Sequence, residues 1–431
     1  MKYFKKIVSL TILLMIILYT TAFAATDEIS TYSPTVLLME SKTGKVIFEK
    51  NAHEKMYPAS TTKIMTAILT LENCELTDKA TASYEAVYTV PVGYSNANIQ
   101  VGEELTINQL LNVLMVGSAN EAANILAEHI AGSVSSFATM MNSKAAELGC
   151  ENTHFVNANG VHNADHYTTA YDLALMGRYA MQNETFRKLV STTFYTLPAT
   201  NKYDKNDRVF GNTNELIKKD DSDRVDNYYY KYCNGIKTGF TNAAKNCIVA
   251  SAQKDGIEYI VVIMGAESTE NGLSARYIDC KNIFNYAFEN YTVKTLYEKN
   301  SVLKSVKVPG ASLSTRNLNA LVENEISVVV KNTTDVSNIT PTVEINPELK
   351  APLSANTIIG NVTYSIDGHE YSSNLLAAND VKESNFLSGF LIIITIILIL
   401  YLIYKFCNTK DKRKKKKKKA SSKNDRSYLY W

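Results

Sequence analysis

Three short sets of polar side chains stand in order along this chain: Ser60-Thr61-Thr62-Lys63, Ser118-Ala119-Asn120 and Lys237-Thr238-Gly239. A serine and a lysine three residues apart lie on one face of a helix, where their side chains can meet. Serine is a weak nucleophile until a base takes its proton, and lysine, with an ordinary pKa of about 10.4, is a poor base at neutral pH. Burial in a cleft and a second cation close by both disfavour the charged amine, and Lys237 is the natural second cation. The chemistry that fits is acyl transfer through an ester on Ser60. Each set alone has an ordinary explanation: a serine near a helix start is most often an N-cap, a lysine three residues on a solvated face, and Lys-Thr-Gly a turn. All three in this order outweigh those readings.

The elements that must position these side chains show in the periodicity. Residues 35–39 and 46–48 flank Ser41-Lys42-Thr43-Gly44 and read as a β-hairpin. An apolar stripe of Ile64, Met65, Ile68, Leu69 and Leu71 predicts a helix beginning just behind Ser60. A helical pair is expected over 107–115 and 119–130, with Gly117-Ser118 at the break. Residues 235–239, 247–252 and 257–264 read as antiparallel strands, the last two joined by a turn at Asp255-Gly256, and 275–288 reads as a helix closing the domain. After Tyr291, short alternating runs at 326–330, 342–345 and 362–366 predict a small all-β module.

Both ends of the chain carry membrane signals. Lys2, Lys5 and Lys6 precede an apolar run at 7–18 and then Ala22-Phe23-Ala24, which predicts a cleaved secretory signal over 1–24. The run 386–406 holds no charge before Lys405 and as a helix spans about 30 Å, one hydrocarbon core, so a transmembrane helix is expected. Six lysines at 414–419 dominate the segment 407–431, which directly after a span reads as a cytoplasmic tail drawn to anionic lipid. The part between the two signals then lies on the extracytoplasmic face of the cell membrane. From Lys405 onward twelve basic residues face two acidic ones, a net of +10; with +3 in the signal and +2 for the whole chain, the external part carries −11. That balance argues against nucleic acid as a partner. Of six cysteines, Cys407 sits at the membrane edge and leaves an odd, irregular five, unlike a disulfide scaffold. Cys247 is expected to pack as a small buried hydrophobe.

Taken together, the three motifs resemble the active-site set of the penicillin-binding proteins and serine beta-lactamases. Their flanks narrow the likeness to the low-molecular-mass D-alanyl-D-alanine carboxypeptidases: Tyr57-Pro58-Ala59, Asn212-Thr213-Asn214, Gly235-Ile236, the stretch 153–157, Gly160, and Asp165-His166-Tyr167-Thr168-Thr169-Ala170. It covers roughly residues 30–375. The resemblance implies an α+β fold: a beta-lactamase/transpeptidase-like catalytic domain over 25–290, with an antiparallel sheet and a helical cluster, then a β-rich domain over 291–378, which the segment 350–360 also resembles. It implies Ser60, Lys63 and Ser118 as catalytic residues, Ser118 relaying a proton from Lys63 to the leaving amine. Asn120, Lys237, Thr238, Gly239, Phe240 and Arg276 would hold the substrate. Asn120 would offer its amide to the substrate's peptide group, Lys237 and Thr238 would grip its terminal carboxylate, and the backbone N–H groups of Ser60 and Phe240 would form the oxyanion hole. The implied substrates are peptidoglycan stem peptides ending in D-Ala-D-Ala, and beta-lactams would trap Ser60 covalently. No cofactor and no metal are implied.

Departures and competitors follow from the same residues. Lys245-Asn246 puts a charge near the active-site strand, a charged insertion at 218–226 lies ahead of Lys237, and Arg276 competes with a surface ion pair as its explanation. His162 and His166 have a zinc-capable spacing, but Asn163 stands between them in place of the metalloprotease glutamate, and Asn159 and Gly160 argue for a loop. A beta-lactamase would share the three motifs, yet no ExxLN stretch follows Ser118 where its deacylating glutamate is expected. A beta-lactam sensor would need a cytoplasmic output larger than the 25 residues of 407–431.

Overall fold

Residues 35–40, 247–252 and 258–264 are buried without a break, which happens when a sheet is covered on both faces. The computed structural model describes residues 29–424 apart from 221, 223 and 385, so the expected signal segment lies outside the described residues. Five antiparallel strands make the main sheet: β1 (Thr35–Glu40), β2 (Val46–Lys50), β3 (Cys233–Thr241), β4 (Lys245–Lys254) and β5 (Ile257–Ala266). Their spatial order is β2-β1-β5-β4-β3, which leaves β3 on an edge. Alternate side chains along each strand point to opposite faces. Leu37, Met39, Val249, Ile260 and Val262 therefore join one buried cluster, and Val36, Leu38, Ile248, Val261 and Ile263 another.

The first cluster is completed by α1 (Lys63–Asn73), α2 (Ile107–Met115), α3 (Asn120–Ala131), α4 (Val134–Glu147), α5 (Ala170–Ala180) and α6 (Glu184–Ser191). The second is closed by α7 (Ala275–Asn290), through Tyr277, Cys280, Ile283, Phe284 and Ala287. Capping fixes where the helices begin. Thr106 and Gln109 form a reciprocal capping box on α2, and the side chains of Ser133, Thr169 and Asn183 accept the N-terminal amide hydrogens of α4, α5 and α6. The expected helix behind Ser60 is present as α1, but Ser60 itself sits one step earlier, in a 3-10 turn over Ala59–Thr62.

The remainder, Thr295–Val328 and the residues from Asp335 on, forms a second compact unit. Its five antiparallel strands run in the order Val302–Lys307, Asn317–Val322, His369–Ala377, Ile358–Ile366, Thr342–Ile345. Burial alternates along them, with Leu318, Ala320, Val322, Val362 and Leu375 turned inward. A helix, α8 (Phe386–Asn424), follows, and its stretch Gly389–Lys418 is long and apolar enough to cross a membrane.

One loop closes tightly on the Ser60 turn. At Gly160 (φ +84°) a Cβ would meet the carbonyl oxygen of Ala59 at 1.9 Å and Thr62 Oγ1 at 2.9 Å. Only glycine allows that approach without strain. Gly160→Ala is therefore expected to lower stability by about 2 kcal/mol or more, read as a fall in the denaturant midpoint; an unchanged midpoint would show that the loop can retreat freely.

Candidate active site

The elements bring the three motifs to one cleft of about 450 Å³, whose walls include Ser60, Ser118, Asn120, Thr238, Gly239, Phe240 and Arg276. Ser60 comes from the turn before α1, Ser118 and Asn120 from the break between α2 and α3, and the rest of the near wall from edge strand β3. The chain is held in uncommon backbone conformations at two of these points, Ala59 (φ 48°) and Ser118 (φ 60°). Such positions persist only where the surroundings over-determine them.

Beneath the cleft lie two buried amines. Lys63 is fully buried, with Nζ 2.9 Å from Ser60 Oγ, 2.8 Å from Asn120 Oδ1 and 2.6 Å from the carbonyl oxygen of Asn159. Burial pushes its pKa well below the ordinary lysine value, the Lys237 charge pushes it further down, and Glu121 acts the other way. With Asn120 Oδ1 and Asn159 O accepting two of its protons, loss of the third leaves a lone pair directed at the Ser60 hydroxyl. Lys237 donates to Thr238 O at 3.1 Å and Thr213 Oγ1 at 3.3 Å, and burial followed by the nearby Arg276 charge lowers its pKa to about 7.

Arg276 sits in the first turn of α7, donating to Gly239 O at 3.2 Å, Cys247 O at 3.4 Å and Tyr277 Oη at 3.1 Å. Its partners are thus carbonyl and phenol oxygens of the cleft wall, not the acid of a surface ion pair. Thr238 Oγ1 lies 2.6 Å from Thr213 Oγ1. Phe240 is 58% exposed and forms part of the cleft mouth. Gly239 packs on the nucleophile turn, where a Cβ would come within 2.9 Å of Pro58 O and 3.0 Å of Ser60 N.

Asn120 lines the cleft with its amide already engaged: Oδ1 accepts from Lys63 at 2.8 Å, Nδ2 donates to Ser95 O at 2.8 Å, and the residue is 2% exposed. Ser118 reaches the cleft, but it is not among the three partners of Lys63. Of the possible zinc pair, His166 is engaged elsewhere: Nδ1 accepts from Val156 N–H and Nε2 meets Thr62 Oγ1. Lys245 pairs with Glu267 at 3.3 Å. The insertion at 218–226 makes its own pairs, Lys218 with Glu215 and Arg224 with Asp226. Cys247 is fully buried, and all six cysteines are free thiols.

Sequence reasoning missed three contributors. Asn159 enters through its carbonyl, which no side-chain pattern reveals. Thr213 lies in Asn212-Thr213-Asn214, whose outer members tie the segment down, Asn212 to Thr192 O and Asn214 to Gly235 O; the run of three polar residues, between the strand Arg208–Gly211 and the 3-10 turn Glu215–Ile217, was the available signal. Glu121, 2% exposed, accepts from Ala97 N–H at 2.5 Å and so fastens the loop that carries Ser95.

Against this geometry, comparison with known proteins is decisive. The family described as D-alanyl-D-alanine carboxypeptidase matches residues 21–268, and that described as penicillin-binding protein 5, C-terminal domain, matches 291–383. The chain belongs to the D-alanyl-D-alanine carboxypeptidase family. The carboxypeptidase DacF of Bacillus subtilis is 31% identical over 84% of this chain and 89% of its own length. The Streptomyces K15 DD-transpeptidase structure, 32% identical, aligns over all of its length and 61% of this chain with a TM-score of 0.55. Penicillin-binding protein 5 of Haemophilus influenzae, 24% identical, shares the fold over 83% of this chain and all of its own, with a TM-score of 0.68.

Lys237 can bind a carboxylate only while protonated. The kcat/KM of this carboxypeptidase-family protein on a D-Ala-D-Ala peptide should therefore fall as pH rises through about 7, the value to which burial and Arg276 bring Lys237. Lys237→Arg keeps a cation at all these pH values and should remove that alkaline limb. A limb that stays in place in the variant would assign it to another group.

Proposed function

We propose that this chain is a serine-type D-alanyl-D-alanine carboxypeptidase that trims peptidoglycan stem peptides. The observation that supports this most directly is the buried, proton-poor Lys63 held 2.9 Å from Ser60 Oγ by two fixed acceptors. Lys63 takes the Ser60 proton as Oγ attacks the carbonyl between the two terminal D-alanines. The oxyanion collects at the backbone N–H groups of Ser60 and Phe240. Collapse breaks the C–N bond, and the amine leaves with a proton passed from Lys63 by way of Ser118. Water then cleaves the ester and restores Ser60. Lys237, Thr238 and Arg276 hold the terminal carboxylate, with Thr213 steadying Lys237. A beta-lactam presents the same carboxylate and a strained amide, and so acylates Ser60.

The signal at 1–24 and the span at 386–406 complete the reading: the catalytic domain, 25–290, and the β-rich domain, 291–378, work on the outer face of the cell membrane, anchored by the span, with 407–431 inside. An apolar helix of this length supports the anchor.

The purified full-length protein in detergent should release free D-alanine from a pentapeptide ending in D-Ala-D-Ala and carry one penicilloyl group on Ser60 by peptide mass mapping. Ser60→Ala should lose both, and Lys63→Ala should slow acylation by about 10²-fold or more while leaving the melting temperature near that of the parent. A penicilloyl group on another residue, or turnover of many penicillins per second, would overturn the assignment.

A further inference from the structure

We infer that His166, acting through Thr62, fixes the direction of the Ser60 backbone N–H and is a positioning residue for the oxyanion hole; the inference rests on the acyl-enzyme reading above. His166 is 2% exposed and Thr62 1%. Val156 N–H donates to His166 Nδ1 at 3.1 Å, which makes that nitrogen an acceptor and leaves the ring neutral with its proton on Nε2. Nε2–H then donates to Thr62 Oγ1 at 2.8 Å. With its lone pair occupied, the Thr62 hydroxyl turns its own proton to the carbonyl oxygen of Ala59, also at 2.8 Å. The chain of donors has one direction only.

Its end point matters because of peptide planarity. The Ala59 carbonyl and the Ser60 N–H belong to one rigid unit and point opposite ways. Anchoring the oxygen from behind therefore aims the N–H forward, into the cleft. The anchor is needed, since Ala59 is held at φ 48°, where an alanine does not rest unaided. Gly160 lets the same loop close on that oxygen, and Asn159 uses its carbonyl to hold Lys63. One loop thus supports both the base and the oxyanion donor. Burial, together with the charges of His154, Lys63 and His162, brings the His166 pKa down to about 3, so the ring keeps this proton arrangement across the working pH range.

The test uses full-length protein acylated by benzylpenicillin labelled with 13C at the lactam carbonyl. Infrared spectroscopy reads the ester C=O stretch, which falls as the oxyanion donors grip the oxygen. His166→Leu should raise the stretch and slow acylation about tenfold or more, short of the ~10²–10³ lost when an oxyanion donor is deleted, with little change in initial binding. His166→Gln, whose amide can accept from Val156 and donate to Thr62, should recover most of both. Because His166→Leu risks misfolding, Thr62→Val against Thr62→Ser makes the same comparison at the next link of the chain: the valine should behave as the leucine does, and the serine as the parent. If the Thr62→Val adduct on Ser60 shows the parental stretch and acylation rate, the inference fails while the acyl-enzyme reading stands. If the parent itself forms no adduct on Ser60, the reading fails and takes the inference with it.

Discussion

The structure turns on the burial of two amines beneath one cleft, with no carboxylate bonded to either among the described residues. Moving an ammonium group out of water without a counter-ion is costly, and a buried lysine lowers the cost by giving up its proton. The Lys237 charge deepens this at Lys63, and the Arg276 charge does so at Lys237. The acid best placed to reverse the effect is Glu121. It is buried too, its own pKa raised first by desolvation, and its Oε1 is taken up by Ala97 N–H. Burial and the Lys237 charge thus outweigh the opposing pull of Glu121 on Lys63.

Holding a neutral amine is a directional problem as well as an electrostatic one. A neutral lysine with free rotation would present a proton or a lone pair to Ser60 at random. Asn120 Oδ1 and Asn159 O remove the choice by accepting both protons. Asn120 can do this because Nδ2 is tied to Ser95 O, so the amide cannot turn over. The polar residues around Lys63 thus set the orientation of one nitrogen.

What the sequence disclosed, and what it did not, follows from the range of each interaction. The hairpin, α2 and the strands around Lys237 were legible because their apolar periods are local. The helices at Val134–Glu147, Ala170–Ala180 and Glu184–Ser191 went unread, since the first mixes serines and methionines and the last is mostly polar, and tertiary packing decides both. Ser60, Lys63 and Lys237 stood out by spacing, and the resemblance supplied Ser118, Asn120 and Arg276. The inward turn of Asn120 was illegible, because it depends on a carbonyl 25 residues away in sequence. Asn159 and His166 act across about a hundred residues on groups of the Ser60 turn, and nothing in a motif records a carbonyl oxygen or the tautomer of a ring.

Gly239 shows how closely the sheet and the nucleophile turn constrain each other. One edge of β3 is paired with β4, and one face of the strand packs against the Ser60 turn so tightly that a Cβ at 239 would come within 2.9 Å of Pro58 O and 3.0 Å of Ser60 N. The strand is thereby kept beside Ser60. The two backbones that supply the proposed oxyanion donors, at Ser60 and Phe240, come from elements far apart in sequence and have no shared local structure to hold them in register. Contact at Gly239 provides that register directly. A larger residue there would push the strand away from the Ser60 turn, so the third residue of Lys-Thr-Gly is set by the close approach of strand and turn and not by the needs of a turn of its own.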